Sequence, residues 1–545
     1  MKIRISKKSI IIITSLFIGS TALSSMTQVS SVPGEYVVQL KKNKMTRMST
    51  KQIELTLNSR IKSTIPGQNI VVIQKPVFEN AESVIESLKK NELVEIVEPN
   101  YIYTINKTSN DPLFEKLWGL TNVGQKDPAG QTGVAGVDIN VEKAWDIQTG
   151  SRNTVVAIID TGIDFNHPDL KPNMWTNDAE LNGTAAVDDD NNGVVDDIYG
   201  YNAVDNSGNP IDDQGHGSHC AGTIGAKGND GVGVVGVNWE VRMMAVKFLD
   251  KNGSGTLENA IKAIDYATRM GAKIMSNSWG GGGFSQTLFD SIKRSEEAGA
   301  VFIAAAGNDG SNNDSRPAYP ASYEISNVIS VAAINNKGAK ADFSNYGKRS
   351  VHIGAPGVNI LSTTGGKYSS FSGTSMATPH VAGVVALLWS NETQMNASEI
   401  KNRILTTARR LPSLTGKSRT GGTVDAYSAL MNIVPPPDEN DPANWASVPT
   451  SLQSESPYKP NTNETFDVKV PGAKQIAIYF EKFNTESTYD FVQIMNAQGI
   501  KVQTLSGVND ESYSVMIDGD SAQLIFKSDA SVEKTGWIVS KVAYK

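Results

Sequence analysis

Three polar side chains in this chain of 545 residues stand where acyl-transfer chemistry would need them. Ser375 lies in FSGTSMATPH (371–380), a Gly/Ser/Thr turn that feeds the apolar segment VAGVVALLWS. A serine at the start of a buried helix has its hydroxyl held on rigid backbone beside free N–H groups. That suits a nucleophile that attacks a carbonyl, and it equally suits a plain helix-capping serine. In VVAIIDTGIDFNHPDL (155–170) an apolar run ends at Asp160 and a Thr-Gly turn. The pattern predicts a buried strand of a parallel sheet with a carboxylate at its C-terminal end. Catalytic groups of open α/β sheets collect at that edge, although a helix-capping Asp would read the same. DDQGHGSHCAGTIG (212–225) sets His216 between glycines at the start of another helix. Of only five histidines, His216, His219 and His380 fall in the serine and histidine segments, a clustering that chance explains poorly.

Together the three side chains make a system. A serine hydroxyl is a poor nucleophile at neutral pH and needs a base within hydrogen-bond reach. His216 could take its proton and hand it to the leaving amine. Asp160 could fix the imidazole tautomer and support the imidazolium. Asn308, after the apolar run in VFIAAAGNDG (301–310), could donate a hydrogen bond to a developing oxyanion without a charge of its own. A strand-end turn asparagine is the plain alternative. No G-x-S-x-G elbow surrounds Ser375 and no H-E-x-x-H occurs, which argues against a lipase or a zinc peptidase.

Asp160-Thr161-Gly162, His216-Gly217-Ser218-His219 and Gly373-Thr374-Ser375-Met376-Ala377 follow one another in that order. The order is that of the subtilisin architecture and differs from the chymotrypsin and α/β-hydrolase orders. Over roughly residues 109–433 the chain resembles the subtilisin-like serine proteases, the subtilases, whose three signature blocks these match. The resemblance implies a serine endopeptidase with Asp160, His216 and Ser375 as its triad. It implies an oxyanion hole made by the Asn308 side chain and the Ser375 backbone N–H. It also implies a cleft edge at Ser278, Trp279 and Gly280, a facing wall at Ala305, Ala306 and Gly307, and a pocket floor at Ala318. A small floor residue without an acid nearby suggests an apolar or aromatic P1 side chain. The glycines of SNSWGGGG (276–283) leave backbone free for strand addition by a peptide, or simply mark a loop. Asp169 resembles a calcium ligand of the family. Cys220, the one cysteine, is expected as a buried thiol beneath His216.

The elements that must carry this chemistry predict an α/β fold: a mainly parallel sheet with helices on both faces. Four basic residues followed by SIIIITSLFIGSTAL read as a secretory signal peptide over 1–30, too short for a membrane span. Residues 31–108 alternate as β-α-β-α-β, with strands in EYVVQL, NIVVIQK and VEIVEPNYIY and helices in MSTKQIELTLNSRIKS and ENAESVIESLKK. This predicts a small α+β domain with an antiparallel sheet, either a subtilase propeptide that inhibits its own enzyme or an attached binding module. Self-cleavage is expected between Tyr103 and Asn110. Residues 434–447 read as a stiff linker, and strand-like runs from 448 to 545 predict a β-sandwich that resembles a CUB domain without its cysteines.

Charge narrows the partners. Fifteen Lys and Arg against eight Asp and Glu precede residue 109, which leaves 35 basic and 49 acidic residues downstream, a formal charge of -14. That argues against nucleic acid and fits a secreted, extracellular protein that binds cations, and the Asn- and Lys-rich composition with a simple signal suggests a bacterial export route. In VDDDNNGVVDDI (187–198) oxygens recur at Asp188, Asp190, Asn192 and Asp196 around Gly193, as a calcium loop requires, or as a solvated acidic loop would show. The CUB resemblance makes Glu486, Asp490 and Asp529 candidates for a second structural Ca2+, or three separate surface acids. The expected protein is thus a self-processing, monomeric endopeptidase acting on proteins or peptides. A non-catalytic surface-binding protein on a protease scaffold is the rival class.

Overall fold

The computed structural model describes residues 31–42, 48–76, 81–101 and 107–545. The signal-peptide reading of residues 1–30 and much of the expected self-cleavage segment fall outside them. The chain divides between residues 105 and 106 into two compact units. No helix of the described residues is long and apolar enough to cross a membrane.

The first unit is a four-stranded antiparallel sheet of β1 (Ser31–Leu40), β2 (Arg60–Ile65), β3 (Ile70–Gln74) and β4 (Val94–Tyr101), in the order β2-β3-β1-β4. Alternate residues Val38, Leu40, Val71, Ile73 and Val97 form its core with Ile53 and Leu57 of the Thr50–Leu57 helix and Val84 and Leu88 of the Ala81–Lys89 helix. The helix expected across 48–63 is therefore wrong in its second half. Ser49 starts the helix with a capping box to Gln52. Asn58 ends it in the left-handed region at φ 46°, its N–H closing on Glu54 and Leu55 carbonyls. The chain then turns into β2, whose mostly exposed residues gave no strand-like alternation.

In the second unit a nine-stranded sheet runs from β5 (Gly150–Asp160) through β6 (Gly200–Asn202), β7 (Glu240–Lys247), β8 (Ile274–Asn277), β9 (Val301–Ala305), β10 (Val328–Ile334), β11 (Ile353–Pro356), β14 (Arg409–Arg410) and β15 (Gly422–Thr423). Its order is β14-β15-β11-β10-β9-β8-β5-β7-β6, parallel throughout except for the β14–β15 edge. The hairpin β12 (Ile360–Thr364) and β13 (Lys367–Phe371) stands apart from it. Period-two alternation assigns the two faces of β5. Val156 and Ile158 join the core that contains the His216–Gly225 and Thr374–Asn391 helices. Ala157 and Ile159 join the core with Ala263 and Ala267 of the Leu257–Arg269 helix and Leu288 and Ile292 of the Gln286–Glu297 helix. The Thr374–Asn391 helix is buried nearly all round, which explains its unbroken apolar run. The chain builds β6 and β7 on one side of β5 and then crosses to β8 on the other. This reversal opens a crevice beyond the carboxyl ends of β5 and β8.

Two antiparallel sheets form the C-terminal sandwich. One holds β16 (Ala446–Gln453), β18 (Gln475–Asn484), β21 (Ser512–Tyr513), β22 (Ile517–Asp518) and β24 (Gly536–Tyr544); the other holds β17 (Asn463–Lys469), β19 (Phe491–Asn496), β20 (Lys501–Leu505) and β23 (Ser521–Lys527). The sheets close on Ile478, Phe480, Phe526 and Trp537. The linker reading overran at its end, since β16 begins at Ala446. That strand and β20 were missed because both lie at sheet edges with polar, largely exposed sequences, and Pro449 interrupts β16 where its register shifts.

Candidate active site

Asp160 closes β5 and is fully buried, while His216 opens its helix and is 24% exposed. The His216 Nδ1 and the Asp160 Oδ1 lie 2.8 Å apart, and the Thr161 N–H donates to the same oxygen at 2.7 Å. Glycine is required beside them. A Cβ at Gly217 would lie 2.1 Å from the Gly162 carbonyl oxygen and 3.2 Å from Asp160 Cβ, so a side chain there would drive the histidine helix off the strand. Burial alone would push the His216 pKa down; the charge of Asp160, its hydrogen bond and the charge of Asp212 together outweigh burial and hold it above the ordinary imidazole value.

Ser375 is the second residue of the Thr374–Asn391 helix, whose first turn extends from the turn at Gly373. Its hydroxyl donates to the Ser278 carbonyl at 3.0 Å, and the Ser278 hydroxyl donates to the Ser375 carbonyl at 2.8 Å. Ser375, His216 and Asn308 line one common cleft. Asn308 uses its side-chain oxygen to accept both the N–H and the hydroxyl of Thr374, each at 2.9 Å. These bonds fix the amide oxygen and leave its NH2 group free of Thr374. A Cβ at Gly373 would sit 3.5 Å from the Ser375 nitrogen and 3.7 Å from Asn308 Nδ2. The Ser375 nitrogen and Asn308 Nδ2 thus both lie within 3.7 Å of a point that residue 373, with no side chain, leaves open.

Cys220 is buried one turn along from His216, its thiol directed at the Ser375 carbonyl at 3.5 Å. Burial, and then the charge of Asp160, push its pKa well up, so it stays a thiol. Burial also pushes His219 down to about 3 and His380 down to about 4. His219 stacks on Phe371 and contacts the Ile360 and Ser369 carbonyls. Neither is a second base.

The cleft splits around Trp279 and the glycine run 280–282. On one side a space of about 830 Å³ joins His216 and Ser375 to an apolar pocket of Phe248, Leu257, Phe284 and Leu288. On the other, about 710 Å³ is bounded by Ala305, Gly307, Ala318 and Tyr319, with Asp309 and Arg316 at an exposed rim. Ser278, Trp279, Gly280, Ala305, Gly307 and Ala318 thus fall in the cleft. Ala306 does not: its side chain packs in the core with Ala332 and Val351. Strand alternation turns it away from the wall on which Ala305 and Gly307 lie. The Phe248–Leu257–Phe284 pocket was missed because its residues come from separate segments.

The candidate metal residues separate in the same way. Glu486, Asp490 and Asp529 do come together, with ligand atoms within 4.8 Å of one another. Asp490 is fully buried and accepts the Asp529 N–H and the Tyr458 hydroxyl. A Glu486 oxygen is buried with no hydrogen-bond partner among the described residues. Its burial, then the charges of Asp529 and Asp490, push the Glu486 pKa up. In the acidic loop the grouping differs from the expected one: Glu180, Asp190 and Asp197 converge within 4.8 Å, with Asn192 donating to Asp190 and Asp197. Asp188 and Asp196 instead accept backbone N–H groups of Asn192, Gly193 and Ala186, the work of turn-forming acids. Asp169 is buried. One of its oxygens takes the Val234 N–H, and the other has no hydrogen-bond partner among the described residues. Asp111, unnoticed in the sequence, accepts the N–H groups of Asn229, Asp230 and Gly231 and so braces the loop beside Asp169.

Comparison with known proteins agrees with this geometry. The subtilase family matches residues 151–428, the fervidolysin N-terminal prodomain residues 21–100, and the CUB domain residues 445–540. The chain is 36% identical to a thermophilic serine proteinase of Bacillus sp. (strain AK1), over 73% of this chain and 88% of that protein. It is 39% identical to thermitase of Thermoactinomyces vulgaris, over 54% and 94%. With subtilisin-like protease 1 of Plasmodium berghei it shares 37% identity, over 52% of this chain and 50% of that protein. The chain belongs to the subtilase family of serine proteases, with a prodomain-like region before the protease domain and a CUB domain after it.

Proposed function

We propose that this subtilase is a secreted endopeptidase made as a self-processing zymogen, with Asp160, His216 and Ser375 as its triad. Residues 31–108 are its propeptide, 109–433 its catalytic domain, and the sandwich from Ala446 an accessory domain. The observation that carries the reading is the 2.8 Å contact of His216 with buried Asp160 in a cleft shared with Ser375 and Asn308. His216 Nδ1, bonded to Asp160, leaves Nε2 as the base toward Ser375. The Ser375 hydroxyl must leave the Ser278 carbonyl and turn to that nitrogen as its oxygen attacks the scissile carbonyl. The developing oxyanion then meets the Ser375 N–H and the Asn308 NH2, already oriented by Thr374. His216 next gives the proton to the leaving amine, and water hydrolyses the acyl-enzyme by the same route.

Substrate backbone adds alongside Trp279 and the glycine run, and the space over Ala318 takes an apolar or aromatic P1 side chain. A fluorophosphonate that labels the wild type and not Ser375→Ala, with peptide cleavage lost in the same variant, is the expected result. An unlabelled, inactive wild type would favour the non-catalytic binding protein.

Calcium is the cation that best suits both carboxylate clusters, since three hard oxygens within 4.8 Å repel one another without a divalent charge. The unpartnered Glu486 oxygen supports such a site in the sandwich. A bound ion there would be structural and takes no part in acyl transfer.

A further inference from the structure

The carboxylate of Asp212 lies outside the triad, yet it accepts five hydrogen bonds around the start of the His216 helix. Its Oδ1 takes the Thr161 hydroxyl at 2.9 Å and the Gln214 and Gly215 N–H groups at 3.0 and 2.8 Å. Its Oδ2 takes the N–H and the hydroxyl of Ser218 at 2.9 and 2.6 Å. Thr161 relays the contact, since its hydroxyl oxygen also accepts the Gly217 N–H at 2.8 Å. The helix N-cap is Gly215, at φ 103°, which has no side chain to cap anything. Its opening N–H groups are instead met from outside: His216 by Gln214, Gly217 by Thr161, Ser218 by Asp212. Thr161 directly follows Asp160, so this network ties the strand end that carries the acid to the helix turn that carries the base.

We propose that Asp212 is a positioning residue for the triad: it clamps the His216 helix to the end of β5 and supplies a second negative charge to the imidazolium that forms during acyl transfer. The inference deepens the protease reading above and rests on it. The other groups facing His216 leave room for that role. Asp160 is the direct partner, and His219 and Cys220, further along the same helix, are both held neutral by burial. His380, on the buried helix that bears Ser375, is neutral as well. Lys247 of β7 is satisfied by the Thr161 and Leu249 carbonyls and by Asp213 at 2.7 Å, so its charge is locally compensated. Asp212, bonded to the Gly215 and Ser218 N–H groups on either side of His216, acts on it in the same sense as Asp160.

The pH dependence of kcat/KM on a short chromogenic peptide tests this, with matured wild type, Asp212→Asn and Ser218→Ala. Asn at 212 keeps the shape but removes the charge and cannot accept both Ser218 bonds. Its kcat/KM should fall about tenfold and its acid limb should move to lower pH. Ser218→Ala removes the hydroxyl's bond to Asp212 and the one it accepts from the Asp164 N–H, and keeps the Asp212 charge; its rate should fall with the acid limb unmoved. An Asp212→Asn acid limb that superimposes on the wild type overturns the inference, whatever the rate. Should that variant not accumulate as folded protein, Thr161→Val, which cuts the relay, must lower kcat/KM at least about threefold; an unchanged rate overturns the clamp. A wild type that cleaves nothing would refute the protease reading instead, so the two failures are distinct.

Discussion

Ser375 and Ser278 exchange hydrogen bonds, each hydroxyl donating to the other's carbonyl, at 3.0 and 2.8 Å. The residue that follows β8 and the helix that bears Ser375 are thereby held in register, and the Ser375 hydroxyl points its proton at a backbone oxygen. Ser278→Ala removes one of the two bonds and leaves Ser375 intact. We expect kcat to fall about tenfold with the stoichiometry of fluorophosphonate labelling unchanged. Steady-state kinetics beside an active-site titration will check it, and an unaltered kcat would mean that the exchange has no part in placing Ser375.

His216 can act as a base only when neutral. Because burial is outweighed by Asp160 together with Asp212 and the pKa is raised, kcat/KM should rise with pH through an apparent pKa above the ordinary value of about 6.5. Asp160→Asn removes that charge. Its acid limb should shift to lower pH while kcat falls about 10⁴-fold. A loss below about tenfold would show that Asp160 does not orient the imidazole.

Three buried histidines set the acid limit of stability. His219 and His352 are pushed down to about 3 and His380 to about 4, in each case chiefly by burial. The unfolded chain binds their protons at a higher pH than the folded one. Their contribution is therefore complete above about pH 6.5 and is lost as pH falls toward 4 and then 3. The Tm of Ser375→Ala protein, which cannot digest itself, should be nearly flat above pH 7 and drop steeply below pH 6. A Tm unchanged down to pH 4 would contradict the assignment.

Chelation should lower Tm and hasten self-digestion, because an ion held only by the folded state stabilises it by mass action. Asp490→Ala should remove the calcium response of the isolated sandwich transition, and Asp190→Ala that of the protease. Asp188→Ala should retain its response, since that carboxylate serves the turn. Differential scanning calorimetry across a calcium titration distinguishes these outcomes, and identical responses in all three variants would make both clusters plain surface acids.

Among the described residues, the Lys348 ammonium reaches the sandwich 5.9 Å from the Tyr513 ring centre, while Arg410 holds the linker, at the Pro436 carbonyl (3.0 Å) and Asp438 (3.8 Å). Truncation after Ile433 should leave kcat/KM on a short peptide within about tenfold of the full enzyme while weakening attachment to large substrates. A larger loss on the peptide would mean that the sandwich supports the catalytic fold.

Asp160, His216 and Ser375 could be singled out in the sequence because each sits in a motif made by local needs. Asp160 ends an apolar strand, His216 lies between glycines that allow its helix to approach that strand, and Ser375 opens a helix too apolar to be anywhere but the core. Glu486, Asp490 and Asp529 were also foreseen, from the resemblance to a CUB domain. Other groupings depended on the fold alone. Glu180 and Asp197 join Asp190 through a turn that reverses the chain, whereas Asp188 and Asp196, nearer in pattern, are spent on backbone N–H groups. Ala306 reads like its neighbours and yet faces the core, a matter of one residue of strand phase. Strands β2, β16 and β20 carry almost no apolar pattern, since edge strands are specified by the partner they pair with. The network of Asp212 joins residues up to 57 positions apart, from Thr161 to Ser218. Sequence determines what one segment must bury and where it must turn; which side chains then meet is decided by the crossing of β7 to β8 over β5, because only closure of the sheet brings distant turns to one edge.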